Sequence, residues 1–192
     1  MSLLAAVLFG LALPILPVQI LWVNMVSSVA LAMVLAFEPT EPDVMKRAPR
    51  PPGEPMLSPF VIWRIVLVST LFSLGIFGMF QWSLARGAPV EEARTMAVNT
   101  LVAMEVFYLF SVRYLKAPSF TGAGVKGTPL VFMAVGVVVV LQALFTYAPF
   151  MQTWFGTRSL HPGEVLLCAL VGLAVLLLLE LEKWVLRQRK AG

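Results

Sequence analysis

Five long apolar runs separated by short polar segments set the pattern of the chain, at residues 18–37, 60–84, 95–115, 128–147 and 165–184. An α-helix rises 1.5 Å per residue, so about 20 apolar residues cross a hydrocarbon core of about 30 Å; each run predicts a transmembrane helix. Residues 1–13 are equally apolar but stop at Pro14. A helix of that length rises only about 20 Å, so it counts as a half-span, the end of a helix that begins elsewhere. It lacks the basic start and the small-residue cleavage site of a signal peptide. The expected fold is therefore all-α: a polytopic transmembrane helical bundle of five full spans plus an N-terminal half-span, with residues 1–192 forming a single membrane domain. Residues 38–59 read as a proline-rich basic loop.

Composition agrees with the pattern. Hydrophobic residues make up 59% of the chain and charged residues only 12%, against about 45–50% and about 25% in soluble domains; the mean hydropathy is +0.89. Membrane lipid is thus an expected partner. A net charge of +4 would suggest nucleic acid in a soluble protein, but no nucleic acid is expected here, because the basic residues sort by loop. Lys46, Arg47 and Arg50 lie in the first loop, Arg113, Lys116 and Lys126 in the third, and Lys183, Arg187, Arg189 and Lys190 in the tail. The opposite side has only Arg86, Arg94 and Arg158, while Arg64, at the start of the second span, is expected to snorkel. The excess of positive charge places the C-terminus in the cytoplasm and the segment "LPILP" outside, in the plasma membrane of a prokaryote.

Several chemistries are excluded. Cys168 is the only cysteine and sits within an apolar run, so neither an intrachain disulfide nor a thiolate cluster is available. No GxxxxGK[ST], GxGxxG or HExxH pattern occurs, and no Ser/His/Asp set can be argued from spacing. His161 precedes Pro162 in a loop and reads as a solvated histidine. The ten methionines are scattered through apolar runs, as gap-fillers are. Ser69 and Ser73 look like a packing ridge, and Gly75 and Gly78 are expected to permit close helix approach or a bend.

Polar residues inside the apolar runs carry more information. Glu105 lies near the middle of "NTLVAMEVFYLFSVRYL", where an ionised carboxylate costs about 2.5–3.5 kcal/mol on insertion scales. It should face the protein interior, paired or protonated, and handle an ion or a proton; a neutral packing carboxyl is the blander reading. Tyr108 follows at i+3 on the same face. Asn24, Ser27 and Ser28 stand at i, i+3 and i+4, one patch of one helix, with Pro14 and Pro17 upstream to leave backbone carbonyls free. Their hard oxygens suit cations, yet Ser and Asn equally serve as interhelical glue, and spacing alone does not choose.

The stretch "LPVQILWVNMVSSVALAMVLAFEPTEPDVM" resembles the sixth membrane helix and following cytoplasmic loop of type II P-type cation-transporting ATPases, the family of the calcium and sodium/potassium pumps. The run from Pro17 to Asn24 and the spacing of Phe37, Pro39, Asp43 and Met45 before Lys46 and Arg47 carry the likeness. Later segments follow in the same order: a span with central Glu105, a basic loop, a span before "YAPF", and a last span ending "LELEKWVLRQRK". The resemblance implies the C-terminal membrane domain of a pump, truncated at its N-terminus. Residues 1–13 would then be the outer end of the fifth helix. The first four helices and the cytoplasmic domains that take ATP and Mg2+, with their DKTGT aspartate, would belong to the remainder of the pump. Such a chain contributes part of the intramembrane site for the transported cation but has no ATPase activity on its own.

By the same resemblance Asn24, Ser27 and Ser28 match cation ligands of the sixth helix, and Glu105 matches a Glu or Gln of the eighth. Calcium pumps carry Asp at the position of Ser28 and Asn at that of Tyr108. With one carboxylate, a calcium site here would need acidic residues from elsewhere; a monovalent or another divalent ion is as open. Two other readings stand beside this one: a stand-alone polytopic membrane interaction or scaffold protein, and, behind it, a small proton-coupled carrier using Glu105.

Overall fold

The computed structural model describes residues 12–36, 59–112 and 129–191, and every regular element among them is a helix. Helix α1 (Pro17–Val23) runs into a π turn (Asn24–Ser28) and on into α2 (Val29–Ala36). Then come α3 (Pro59–Ala85), α4 (Val90–Val112), α5 (Pro129–Tyr147), α6 (Pro149–Phe155) and α7 (Pro162–Ala191). Among the described residues α1, α6 and α7 begin on a proline, at Pro17, Pro149 and Pro162. At a first helical position the missing N–H has no intrahelical partner to lose, and the fixed φ is already helical, so these prolines start helices rather than break them.

Three helices are long and apolar enough to cross a membrane: α3, α4 and the part of α7 from Pro162 to Val185. α5 and α6 make a fourth only if counted together, because their axes meet at 79°. The bend is local chemistry. Proline disfavours the α conformation in the residue before it, and Ala148, which precedes Pro149, is extended with ψ 125°. The short α6 then ends at Gly156, left-handed at φ +59°, where a side chain would be strained. The expected all-α membrane bundle is thus present with three to four membrane-length helices. Residues 1–11, 37–58 and 113–128 lie outside the described residues, and with them nearly all of the expected half-span 1–13 and of the loop 38–59. Ala12 and Leu13 are not helical.

α4 is the central helix. Half of its membrane-length window is buried, against 33% for α7 and 11% for α3. Lipid tails are as apolar as leucine, so helices in a membrane associate through close packing and hydrogen bonds, not through a hydrophobic drive. The closest approach is at Gly172 of α7, where a Cβ would lie 2.9 Å from the backbone carbonyl of Ala103 on α4 and 2.6 Å from the Phe107 ring. Gly75 of α3 admits the side chain of Met104, whose sulfur would lie 2.8 Å from a Cβ there. Gly78, expected to do the same, has nothing within 4 Å of where its Cβ would be. The antiparallel α3 and α4 are joined through Gly87, at φ +79°.

At one end of these three helices four charges form a clasp. The Arg64 guanidinium on α3 pairs with Glu182 on α7 at 2.7 Å and donates to the Ser111 hydroxyl of α4 at 3.2 Å. Lys183 Nζ donates to the Ser111 carbonyl and to Glu180, both at 2.7 Å. Trp63 Nε1 donates to the second oxygen of Glu182 at 3.1 Å. Arg64 therefore does not snorkel: it is 5% exposed and Lys183 4%. The Ser111 carbonyl and the Glu180 carboxylate thus hold inward an ammonium that sequence position alone would leave in a solvated tail.

Candidate functional site

The π turn at Asn24–Ser28 is a departure from regular helix within the continuous run Pro17–Ala36. Its signature bond runs from the Val29 N–H to the Asn24 carbonyl, five residues back in place of four. Such turns are rare and cluster at functional sites. The wider winding rotates residues away from their α-helical spacing, so Asn24 and Ser27 do not share one patch: Asn24 is exposed while Ser27 is 1% exposed. Ser28 belongs to the same turn, and its side chain lies outside what the structure describes.

Ser27 faces α4. Its hydroxyl contacts the Glu105 carboxyl and also lies 2.9 Å from the Val23 carbonyl, one turn back. A hydroxyl has one proton and two lone pairs, so it does not fully donate to both at once. When Glu105 is ionised, Ser27 donates to it. When Glu105 is protonated, the carboxyl donates to Ser27 Oγ and the Ser27 proton turns to Val23. The Ser27 hydroxyl can thus serve either state of the carboxyl. Tyr108, one turn further along α4, packs edge-on against Phe72 of α3 with ring centroids 5.9 Å apart. The structure thus brings Ser27 and Glu105 together, turns Asn24 outward, and directs the Tyr108 ring toward α3.

Amides and aromatic rings hold the π turn at its depth. Gln19 is fully buried; its Oε1 accepts from the Leu16 N–H at 3.0 Å and its Nε2 donates to the Phe155 carbonyl at 3.0 Å, tying the start of α1 to the end of α6. Trp22 stacks on Phe145 at 5.4 Å, meets Phe155 edge-on at 5.2 Å, and donates from Nε1 to Gln142 Oε1 at 3.3 Å. Beside them the Thr146 hydroxyl donates to the Gln142 carbonyl at 2.9 Å and is reached by Asn99 Nδ2 of α4 at 3.1 Å. Thr157 Oγ1 donates to the Phe145 carbonyl at 2.9 Å, and Tyr147 OH to the Leu160 carbonyl at 3.0 Å, closing the bent segment on itself. Sequence reading passed over Gln19, Gln142 and Asn99. The signal was there, since a lone amide in an apolar span is costly unless bonded. Among the described residues no group of three or more His, Cys, Asp or Glu side chains gathers, so a cation held here would meet hydroxyl, amide and carbonyl oxygens around one carboxylate.

An all-helical membrane domain with a carboxylate against a π turn, on a chain with pump-like segment order, defines a class: the C-terminal membrane domain of a P-type ATPase. The sequence matches the family described as "Cation transporting ATPase, C-terminus" over residues 12–185, and the chain belongs to that family. It is 42% identical over 160 residues to the "Probable cation-transporting ATPase F" of Mycobacterium tuberculosis, covering 83% of this chain and 18% of that protein. It is 38% identical over 176 residues to "Cation-transporting ATPase pma1" of Synechocystis, covering 88% of this chain and 19% of that protein. The "Calcium-transporting ATPase" of Bacillus subtilis is 30% identical over 167 residues, 85% of this chain and 18% of that protein. The chain spans about a fifth of the length of these curated relatives.

Proposed function

We propose that this chain is the ion-translocating end of an ATP-driven cation pump, in which Ser27 and Glu105 form part of the intramembrane cation site. The observation that carries the reading is the contact between them: a mid-span carboxyl held by a hydroxyl of a π turn, across two helices. Asn24 and Ser28 complete the ligand set on the turn, with Asn24 facing outward toward the remainder of the pump. Tyr108 serves one turn away, positioning α4 against α3 more than touching the ion. Pro17–Ala36, broken by the π turn, makes a fifth crossing. The C-terminus lies in the cytoplasm, on the side of the Arg64 and Lys183 clasp, and the membrane is the plasma membrane of a prokaryote. ATP and Mg2+ act on cytoplasmic domains outside this chain, which by itself hydrolyses nothing. A single carboxylate suits a monovalent cation, and a divalent one if the rest of the pump adds acidic groups.

The test uses the full-length pump. Glu105→Ala is expected to weaken cation-dependent phosphorylation by about ten- to a hundredfold in cation concentration, the factor of a charge-assisted contact. Unchanged cation dependence would remove Glu105 from the site.

A further inference from the structure

A cavity of about 330 Å3 lies between α4, α5 and α7, away from the Ser27 and Glu105 pair. Its wall is apolar, with Val102, Val106 and Phe107 of α4, Val139 of α5 and Val165 of α7, and Gln142 forms part of it. Gln142 is 7% exposed, and among the described residues its Nε2 has no hydrogen-bond partner. The amide orientation is settled by its neighbour. Trp22 Nε1 can only donate, so the atom facing it at 3.3 Å is Oε1 and the free end is the NH2. A buried donor left unpaired is costly, and the residue that carries it forms part of the wall of a space at the lower end of the range of about 300–1,000 Å3 taken by small-molecule sites. The missing partner is a hydrogen-bond acceptor on a mainly apolar body.

Depth narrows the choice. Gln142 precedes Tyr147, the end of α5, by about 8 Å of helix rise. If Tyr147 sits at the membrane interface, as tyrosines at helix ends do, the amide lies at the edge of the hydrocarbon core, since the interfacial layer is about 5–8 Å thick on each side. A glycerolipid presents its ester carbonyl at this depth, with acyl methylenes below. We propose that the cavity is a lipid acyl site: an ester carbonyl accepts from Gln142 Nε2, and the chain attached to it fills the space between α4, α5 and α7. Because the other end of the same amide holds Trp22, two residues before the π turn, the bound lipid steadies the helix that carries Ser27. The assignment is independent of the cation reading.

The experiment reconstitutes the full chain in phosphatidylglycerol nanodiscs containing a trace of the same lipid with a diazirine on one acyl chain. After irradiation, labelled peptides are quantified by mass spectrometry. Peptides carrying Val106 and Val165 should be labelled well above those carrying the lipid-facing Val66 and Leu74 of α3. Gln142→Leu should lower cavity labelling by about two- to tenfold, the factor of one neutral hydrogen bond, and a diether probe, which has no ester carbonyl, should show the same deficit in the unaltered protein. Since Gln142→Leu also unhooks Trp22, Ala143→Phe, which narrows the cavity and leaves that bond intact, should reduce labelling with no loss of thermal stability. Cavity labelling equal to that of α3, or unmoved by both variants, would overturn the proposal in favour of annular lipid and a water on the amide. Displacement of the probe by a modest excess of an isoprenoid quinone would assign the acceptor to a quinone carbonyl and overturn the glycerolipid.

Discussion

The two halves of the bundle solve the same problem differently. α3, α4 and α7 are long, unbroken helices that meet at glycine and close at one end with a charge clasp of Arg64, Glu182, Lys183 and Glu180. α1, α2, α5 and α6 are short or broken, with a π turn in one pair and a 79° bend in the other. They are fastened by Gln19, Trp22 and Thr157 to backbone carbonyls and amides. In the first half the strongest polar groups face one another and are spent on holding helices together. In the second, helical hydrogen bonding widens from four residues to five where Ser27 meets Glu105. The regularity of the helices thus separates a half held by charge pairs from a half held by neutral hydrogen bonds and ring contacts.

Substitutions ordered by expected cost sharpen this contrast. The largest loss should follow Glu182→Ala, which strands the Arg64 guanidinium away from water; removing one partner of a buried ion pair costs about 3–5 kcal/mol. The double change Arg64→Leu with Glu182→Leu should recover most of it, and denaturant unfolding in mixed micelles reads both. Gly172→Leu comes next, since its side chain meets the Ala103 backbone and not a yielding rotamer; overpacking costs about 1–3 kcal/mol, measured as a fall in Tm. In the other half, Gln19→Leu forfeits two hydrogen bonds at about 0.6 kcal/mol each, and should speed proteolysis of the α6 loop more than it lowers Tm. An effect no larger, about 0.6 kcal/mol for each of two bonds, is expected for Thr146→Val, which removes the donation to the Gln142 carbonyl and the acceptance from Asn99. If instead Thr146→Val rivals Glu182→Ala in thermal melts, the division into a half held by charge pairs and a half held by neutral contacts is wrong.

Much of the fold was legible because the bilayer imposes length. The runs 60–84, 95–115 and 165–184 needed only counting, and the helices Pro59–Ala85, Val90–Val112 and Pro162–Ala191 lie over them. What counting missed has local causes. The bend at Ala148 lies just past the fourth run, which ends at Tyr147 as α5 does; what counting apolar residues did not give is the short α6 that turns away beyond Pro149. The π turn has no composition signal, because Asn24–Ser28 suits an α-helix as well, and only the fit against α4 selects the wider winding. Arg64 and Lys183 were assigned to water for their charge; Glu182, the partner of Arg64, and the Ser111 carbonyl, a partner of Lys183, stand on other helices beyond the reach of any local pattern, and only Glu180, three residues before Lys183, was in local view. For the candidate site, chemistry singled out Glu105, Tyr108 and the patch of Asn24, Ser27 and Ser28 in advance, while the contact of Ser27 in the π turn with Glu105 on α4, and the outward turn of Asn24, depend on tertiary packing.

The most direct test of the central claim is a double-mutant cycle, Ser27→Ala with Glu105→Gln, read as cation affinity of the full-length pump. If the hydroxyl and the carboxyl act as one unit on the ion, the two losses should fall short of adding, with a coupling of about 0.5–3 kcal/mol, the range for residues in contact. Strict additivity, or single variants that bind the cation as the unaltered pump does, would contradict it.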